Sequence, residues 1–158
     1  MNKIWYYIVF LTVTVLYGCV GQTVLDQTEE IPNESWNETD TLSETFQIGD
    51  TAKEYHLDLT MRFNTRYPYA NFYVWSELIK PSGERDTLLQ SFDVTDKAGK
   101  WLGSGYGDLH SYEFPIYPQY TTNQAGTYTI RMVQGMRKKE LDGCTSRGIR
   151  VKKGRDKF

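Results

Sequence analysis

The sequence has few of the residues from which disulfides and catalytic sites are built. Its 158 residues include two cysteines and two histidines. If Cys19 is lipidated, Cys144 has no internal disulfide partner, and an exported domain must then be held by its core. We expect Cys144 to be half-buried and inert; pairing with a partner's thiol is the alternative. With only His56 and His110, a Ser-His-Asp or Cys-His site has few ways to form. We therefore predict no catalytic residue, metal site or cofactor.

No apolar run is long enough to cross a bilayer. The longest, from Ile4 to Tyr17, has about fourteen residues, whereas a spanning helix needs roughly 20. Lys3 precedes this run, and Leu16 stands three positions before Cys19. The pattern is that of a lipoprotein export signal, although Tyr17 is larger than the residue usually found there. We predict lipidation of Cys19, which attaches the protein to a membrane. An ordinary cleaved signal peptide or a short anchor is the alternative.

Composition divides the chain into four predicted segments. Residues 1–18 are the signal peptide, 19–35 the lipidated cysteine with a flexible tether, 36–153 a single β-domain and 154–158 a basic tail. The tether from Val20 to Ser35 is polar and has no apolar periodicity, which is typical of partly disordered chain. Trp36 is expected to mark the edge of the domain and to fold back onto it. About 140 residues follow the anchor, enough for one domain with a core.

No amphipathic helix is evident, and apolar residues recur at every second position instead. The clearest strand has apolar residues at successive odd positions: Tyr55, Leu57, Leu59, Met61 and Phe63. This alternation places His56 on the wet face. Further strands are predicted over residues 41–48, 72–79, 87–94, 112–120, 127–133 and up to 151. Together they predict an all-β fold, an Ig-like or jelly-roll-type antiparallel β-sandwich of about seven or eight strands.

Local signals refine this sandwich. The strand over 72–79 contains Trp75 and is expected to be central. Prolines at 115 and 118 predict a short, irregular edge strand around them. Tyr128 follows a glycine turn at a strand start, which resembles the tyrosine corner of Greek-key sandwiches. Residues 141–147 are predicted to form a loop.

A glycine-rich stretch from Gly99 to Leu109 carries no recognisable chemistry. A phosphate-binding loop ends in Lys-Ser/Thr before a helix, and this stretch does not. Ser104 has glycines immediately beside it, whereas a nucleophile elbow places them two residues away. We predict a folded-back loop held to the core by Trp101 and Leu102, with Asp108 capping backbone amides.

The same stretch carries a family resemblance. The chain contains, in order, Tyr-Pro-Tyr-x-Asn from Tyr67, Gly-Lys-Trp-Leu-Gly-x-Gly-x-Gly-Asp from Gly99, Gly-Thr-Tyr from Gly126 and Met-Arg-Lys from Met136. This order resembles the gliding-motility lipoprotein H (GldH) family. The resemblance implies a lipidated protein of the cell envelope, associated with the gliding apparatus, and it brings no catalytic residues. No clear acidic block of the kind that resembles surface-export signals in such bacteria follows Cys19. The outer membrane's periplasmic face is therefore favoured over the cell surface.

Charge is unevenly distributed along the chain. Residues 131–157 carry ten Lys/Arg against three Asp/Glu, a net of +7, while residues 20–130 carry seven against seventeen, a net of −10. The basic end could contact lipid headgroups or an acidic partner. A solvated hairpin and a frayed tail are the alternative. Nucleic acid is excluded as a partner mainly by the predicted compartment.

Two functions remain open from the sequence. The first is a non-catalytic scaffold lipoprotein, bound to the membrane through Cys19 and to other envelope or gliding-machinery proteins. Its binding surface would be a set of loop residues, assumed to be exposed: Tyr67, Tyr69, Trp101, Tyr106 and Asp108. The alternative is a glycan-binding β-sandwich, since aromatic side chains stack on sugar rings. Coplanar exposed aromatics would favour glycan binding, and a single packed aromatic cluster would favour the scaffold.

Overall fold

The structure is a computed structural model, and it describes residues 23–157. Eleven strands and one 3-10 turn, Pro32–Glu34, follow one another along this part of the chain. The strands are β1 Thr23–Glu30, β2 Ser35–Asn37, β3 Leu42–Ile48, β4 Lys53–Asn64, β5 Asn71–Ile79, β6 Arg85–Asp93, β7 Ser104–Tyr106, β8 Leu109–Tyr120, β9 Gly126–Gln134, β10 Glu140–Asp142 and β11 Cys144–Asp156. In residues 23–157 no helix is long and apolar enough to cross a membrane. The predicted signal peptide and Cys19 lie outside the described residues.

The strands form two main antiparallel sheets and a short ribbon. One sheet has the order β1-β11-β4-β8-β7, the other β3-β9-β5-β6, and β10 pairs with β2. Eight strands have seven or more residues. If the three short strands are left out and these eight are renumbered 1 to 8 along the chain, the first sheet has the order 1-8-3-6 and the second 2-7-4-5. This is the jelly-roll arrangement. The predicted all-β antiparallel sandwich is confirmed; the three-residue strands β2, β7 and β10 were not predicted.

The core lies between the two sheets and is built by the period-two pattern. All five odd-numbered apolar residues of β4 between 55 and 63 are buried. In β3, Leu42, Phe46 and Ile48 are buried in the same way. One packed aromatic cluster fills the end of the core that contains Phe63: its members are Phe63, Tyr67, Phe72, Phe92, Tyr112 and Phe114. Aromatic pairs of this kind stabilise a core beyond their buried area.

The predicted tether is wrong for residues 23–35. Thr23–Glu30 is strand β1, paired with β11 from Thr23 opposite Lys152 to Glu30 opposite Ser146. Most of β1 is exposed, so its side chains need no apolar alternation. It is held by main-chain pairing and by ion pairs on β11, including Asp26–Arg150 at 3.0 Å. Such strands escape detection by hydrophobic periodicity.

Trp36 is a core residue rather than a marker of the domain edge. Its side chain is fully buried, and its indole N–H donates to the carbonyl of Asp40 at 2.7 Å. The guanidinium of Arg147 lies 4.7 Å from the ring centroid, within cation–π range. Arg147 also pairs with Glu29 and Asp40, at 2.7 and 2.9 Å. This cluster connects β1, β2 and β11.

The chain's last part also differs from the prediction. The predicted loop over 141–147 contains β10 and the start of β11, and β11 continues to Asp156, through most of the predicted tail.

Other local predictions agree with the structure. The strand containing Trp75 is interior to its sheet, between β9 and β6. The Tyr128 hydroxyl donates to the carbonyl of Gln124 at 2.8 Å, as in a tyrosine corner. β8 has twelve residues rather than a short stretch, and it is an edge beyond Ser111, where its pairing with β7 ends.

Candidate functional site

The glycine-rich stretch forms a bridge and a small hairpin. Residues 104–106 are β7, which pairs with β8, and Gly107 has a φ of +69° in the turn between them. Tyr106 is 97 % exposed beside this turn, and Asp108 is also exposed. Asp96 rather than Asp108 caps the loop, since its carboxylate accepts from the amide of Ala98 at 2.8 Å.

Trp101 and Leu102 behave differently from each other. Trp101 is half-buried against the core and stacks on His110, with ring centroids 4.4 Å apart and planes 3° from parallel. Leu102 is 56 % exposed, so the prediction that it holds the loop to the core is wrong. The stack also occupies one face of the His110 ring. The tryptophan therefore supports the loop and presents little free surface.

Tyr67 and Tyr69 do not join Tyr106 in one exposed surface. Tyr67 is buried, its hydroxyl donates to the carbonyl of Asn71 at 2.7 Å, and burial raises the pKa of its phenol. Tyr69 is half-buried and meets the Tyr67 ring edge-on at 5.8 Å. The assumed exposure of the predicted set is therefore wrong for Tyr67. Its members are distributed among the core, a supporting stack and a hairpin tip.

A different exposed apolar surface lies on the outer face of the four-stranded sheet. Trp75 is 45 % exposed and stands directly opposite Leu89 of β6, which is 48 % exposed. On its other side, Trp75 is opposite Val133 of β9. Tyr73, two residues before Trp75, is also exposed. We call Tyr73, Trp75, Leu89, Val133 and the adjacent Met136 the outer-sheet patch.

Two depressions flank this patch. One, of about 410 Å³, is lined by seven residues: Tyr69, Tyr73, Leu89, Gly135, Met136, Arg137 and Lys138. The other, of about 280 Å³, includes Trp75 and Val133 in its lining. The amide N–H of Tyr73 donates to the sulfur of Met136 at 3.4 Å, which holds that side chain beside the strand. Aromatic, aliphatic and basic residues thus line one concave surface.

Basic side chains form one border of the outer-sheet patch. Arg137 and Lys138 are exposed and line the larger depression. Neither has an ion-pair partner among residues 23–157. On the opposite border Arg131 is partly neutralised by Glu77, at 3.5 Å. The larger depression therefore has net positive charge.

The rest of the basic end is largely neutralised within the fold. Cations of β11 pair with acidic residues contributed by β1, β8 and neighbouring turns. Arg150 bonds Glu113 at 3.0 Å, and Lys152 bonds the same carboxylate at 2.8 Å. These two hydrogen bonds, of which the one from Lys152 has the larger effect, hold the pKa of the Glu113 carboxyl below its ordinary value. The charge asymmetry read from the sequence is thus mainly an internal complementarity between strands distant in sequence. Among residues 131–157, the exposed cations without an ion-pair partner in the described part of the chain are Arg137, Lys138, Lys139 and Arg155.

A polar groove of about 310 Å³ lies on the outer face of the five-stranded sheet. Its lining includes five serine and threonine side chains: Thr28, Thr60, Ser104, Ser111 and Ser146. The Thr60 hydroxyl is buried and has no hydrogen-bond partner in the described part of the chain. Nearby, burial raises the pKa of Asp58, and the charge of Glu113 adds to this shift. The groove offers polar contacts but no exposed aromatic platform.

The residues with catalytic or metal-binding chemistry are dispersed. Cys144 is fully buried rather than half-buried, and burial raises the pKa of its thiol. His56 stands on the outer side of β4, opposite Lys152, while His110 lies under Trp101. In residues 23–157 no group of three or more His, Cys, Asp or Glu side chains is arranged to hold a metal ion. These positions offer no nucleophile–base pair.

Sequence reasoning missed the outer-sheet patch although its signal is present. Residues 72–79 are continuously apolar at their start, which predicts burial on both faces. The structure buries Phe72, Val74 and Leu78, and leaves Tyr73 and Trp75 on the solvent side. Two aromatics at i and i+2 on the outward face, opposite a leucine of the next strand, are the detectable pattern.

Comparisons with known proteins point to one family. A family model described as GldH lipoprotein matches residues 23–151. A protein of Christiangramia forsetii named "Gliding motility lipoprotein GldH homolog" is 29 % identical, over 93 % of this chain and 94 % of its own. The "Gliding motility lipoprotein GldH" of Flavobacterium johnsoniae is 22 % identical, over 91 % and 93 %.

Solved structures give weaker matches. A chain in the structure of infectious bursal disease virus, Gx strain, aligns with 85 % of this chain at 13 % identity and a TM-score of 0.41. The VP2 subviral particle of the same virus aligns with 83 % at a TM-score of 0.35. This chain spans about a third of each, 33 % and 30 %. The family match covers most of the chain and both relatives cover nearly all of it: the chain belongs to the GldH lipoprotein family.

Proposed function

We propose that this protein is a non-catalytic lipoprotein of the gliding-motility machinery, anchored through Cys19 and acting by binding other envelope proteins. Both relatives are named gliding motility lipoproteins, and they align over nearly their whole length. We place the anchor in the outer membrane with the domain on the periplasmic side. The observation that carries the binding role is the outer-sheet patch with its basic border.

The patch has the composition of an interaction surface. Trp75 and Tyr73 are large aromatics held on a rigid strand, and interface energy concentrates in such residues. Leu89 and Val133 flank Trp75 on the neighbouring strands, so a partner can cover all three side chains at once. Fully burying one such side chain contributes about 1.5–3 kcal/mol. A contiguous group of this kind is uncommon on a surface without a partner.

The chemistry of the patch selects one kind of occupant. Arg137 and Lys138 border the larger depression without an acidic neighbour in the described residues. We propose that a segment of another envelope protein docks here, with apolar side chains on the patch and Asp or Glu facing these cations. Complementary charge raises association rates and rejects basic partners.

Glycan binding is the second hypothesis, and the distribution of aromatics favours the first. Most aromatic side chains of the described residues are buried in the hydrophobic core or packed against it, and Tyr67 is one of those buried. The exposed Tyr106 stands at a hairpin tip, away from the outer-sheet patch. The polar groove presents hydroxyl groups but no exposed ring for a sugar to stack on. A non-catalytic role agrees with the buried thiol of Cys144 and the separation of the two histidines.

A photocrosslinking experiment in intact cells tests the docking surface. A benzophenone amino acid replaces Val133, and crosslinked peptides are identified by mass spectrometry. We expect a peptide of another envelope protein that combines apolar residues with Asp or Glu. The double variant Arg137→Glu, Lys138→Glu should reduce this crosslink about ten-fold. Tyr106→Ala, which removes a more exposed aromatic from the hairpin tip, should leave it unchanged.

The outcomes separate the hypotheses. Equal loss with Tyr106→Ala and with the charge reversal would move the binding surface to the hairpin. A crosslink unaffected by charge reversal contradicts an acidic partner. Absence of any protein crosslink at position 133, together with retention of the protein on envelope polysaccharide, would support glycan binding instead.

The two cysteines provide a matched test of the anchor. Cells labelled with an alkyne analogue of palmitate should incorporate it into the wild-type protein and into Cys144→Ala, but not into Cys19→Ala. The Cys19→Ala protein should also leave the outer-membrane fraction. Equal labelling of Cys19→Ala and wild type would contradict lipidation at this residue.

A further inference from the structure

β6 ends the four-stranded sheet, and the phase of its hydrogen bonds can be read from its neighbours. The amide of Lys80 donates to the carbonyl of Glu84 at 2.8 Å, in the same register that pairs Leu78 with Asp86. On the other side of β5, the carbonyl of Tyr73 accepts from Gly135 at 2.7 Å. Antiparallel residues alternate in the direction of their main-chain groups. Both bonds therefore assign the even-numbered residues of β6 to the ladder with β5.

The odd-numbered residues of β6 consequently direct their N–H and C=O groups away from the sheet. These residues are Arg85, Thr87, Leu89, Ser91 and Asp93, and all five are exposed. No other strand in residues 23–157 pairs with this side of β6. From Thr87 to Phe92 the strand contains neither a charge nor a proline. Such an open edge is a template for pairing with another strand.

The other sheet ends carry the features that usually prevent pairing. β1 contains Asp26, Glu29 and Glu30, and the open part of β8 contains prolines. β7 has three residues, and β3 has a glutamate, Glu44, near its centre. Charged residues, prolines and short length all disfavour strand addition. β6 carries its charges, Arg85, Asp86 and Asp93, at its two ends, and residues 87–92 between them have none.

We propose that β6 pairs antiparallel with β6 of a second copy of this chain, about a two-fold axis at Leu89. This register places Arg85 opposite Asp93 of the partner at both ends of the interface. Thr87 then faces Ser91, and Leu89 faces its own copy. The residues brought opposite one another are the odd-numbered ones that direct their main-chain groups outward. Five residue pairs with two bonds each give about ten hydrogen bonds.

Charge and apolar surface both favour a second copy as the occupant. Asp93 has no ion-pair partner in the described part of the chain, and Arg85 contacts Glu77 at 2.9 Å with further donors available. The two-fold axis creates the Arg85–Asp93 contact twice. Leu88, 37 % exposed at the margin of the core, gains cover from Gln90 of the second copy. The outcome is one continuous eight-stranded sheet in which the two outer-sheet patches adjoin.

Disulfide crosslinking of the full-length protein in intact envelopes tests the interface. Opposed residues of a hydrogen-bonded antiparallel pair have Cα atoms about 5.5 Å apart, which a disulfide can bridge. Leu89→Cys should therefore yield a species of twice the monomer mass on a non-reducing gel. Tyr106→Cys, 97 % exposed and on β7 of the five-stranded sheet, is the matched control and should yield at least ten-fold less. Cys144 is buried, so it does not compete.

The register is tested by co-producing two single variants. Thr87→Cys and Ser91→Cys should crosslink to each other and several-fold less to themselves. The crosslink between positions 87 and 91 also reports on the charge pair. Either Arg85→Asp or Asp93→Arg alone should reduce this crosslink several-fold, and both substitutions made together in each chain should restore it. Restoration is expected only if both charges belong to the same interface between copies.

Each result bears on the proposal. Equal crosslinking of Leu89→Cys and Tyr106→Cys overturns it, and so does a Leu89→Cys adduct with a protein of different mass, which would identify a foreign strand at this edge. Failure of the double charge swap to restore the crosslink, with circular dichroism unchanged, overturns the two-fold register. The photocrosslink from position 133 to an acidic partner is a separate result, so either proposal can fail alone.

Discussion

Replacing Tyr128 by phenylalanine removes one hydroxyl from a closed ring of hydrogen bonds. The Tyr128 hydroxyl donates to the carbonyl of Gln124 at 2.8 Å and lies 2.8 Å from the hydroxyl of Thr122. The amide of Gln124 donates back to the Thr122 hydroxyl at 3.1 Å. Each hydroxyl can therefore donate once and accept once. The ring connects the loop before β9 to the core.

The expected loss follows from what the substitution leaves unpaired. Tyr128 is fully buried, so water does not replace its hydroxyl. The Gln124 carbonyl loses its donor and the Thr122 hydroxyl loses a partner, and a buried polar group left unsatisfied costs about 1–3 kcal/mol. The substitution leaves the volume of the aromatic side chain otherwise unchanged. We expect a fall of about 2 kcal/mol in the free energy of unfolding and a lower Tm by roughly 5–10 °C.

The measurement is urea unfolding of the protein purified in detergent, with Tyr106→Phe as the control. Tyr106 is 97 % exposed, so its hydroxyl is solvated and the control should change stability by less than about 0.5 kcal/mol. The Thr122→Val, Tyr128→Phe double variant should lose less than the sum of the single losses, because both side chains belong to one network. A loss below about 0.5 kcal/mol for Tyr128→Phe, or strict additivity, would refute the reasoning.

Three further predictions concern backbone strain, the buried thiol and pH. Gly143→Ala should lower stability by more than about 2 kcal/mol in urea unfolding, and Gly99→Ala by about 1, because both have φ +81° but only at Gly143 would a Cβ overlap neighbouring backbone. The buried Cys144 should resist iodoacetamide at pH 8 until urea unfolds the chain, as followed by mass spectrometry. The hydrogen bond from Lys152 lowers the pKa of Glu113 in the folded state. The ionised Glu113 carboxylate therefore stabilises the fold fully above its unfolded pKa, near 4.3. This contribution disappears as the pH falls through the folded pKa. Glu113→Gln should therefore cost less than about 1 kcal/mol at pH 7 and nothing near pH 2.

The proposed pairing through β6 and the proposed docking surface concern adjacent parts of one sheet. Leu89 belongs to both, since its side chain contributes to the outer-sheet patch and its main chain faces the open edge. If both proposals hold, two copies would present a patch twice as large to an acidic partner, and two linked sites bind more tightly than one.

Much of the fold could be predicted because its signal is local. The alternation over residues 55–63 and the glycine turn before Tyr128 depend on neighbouring residues, and they predict a strand and a tyrosine corner directly. β1 could not be predicted in this way. It is stabilised by main-chain pairing with β11 and by Arg147 and Arg150, more than a hundred residues away in sequence.

The predicted site shows the same limit. Tyr67 and Trp101 have the composition of binding residues, but the first completes the core and the second stacks on His110. Exposure of an aromatic depends on which strands lie on either side of it, and residues near in sequence do not specify this. The sequence correctly predicts a central strand for Trp75, yet the exposure of its side chain depends on what covers the outer face of that sheet.

By itself, the sequence determined the all-β class, the inward residues of the longest strands, the family and the lipoprotein signal pattern. Each of these depends on period-two alternation or on short motifs, which are properties of neighbouring residues. The tertiary structure alone decided that most basic residues of β11 are neutralised by distant acidic residues, that Trp75 and Leu89 share an exposed face, and that β6 has an open edge. These properties arise from pairing between strands far apart in the chain, because burial and hydrogen bonding depend on neighbours in space.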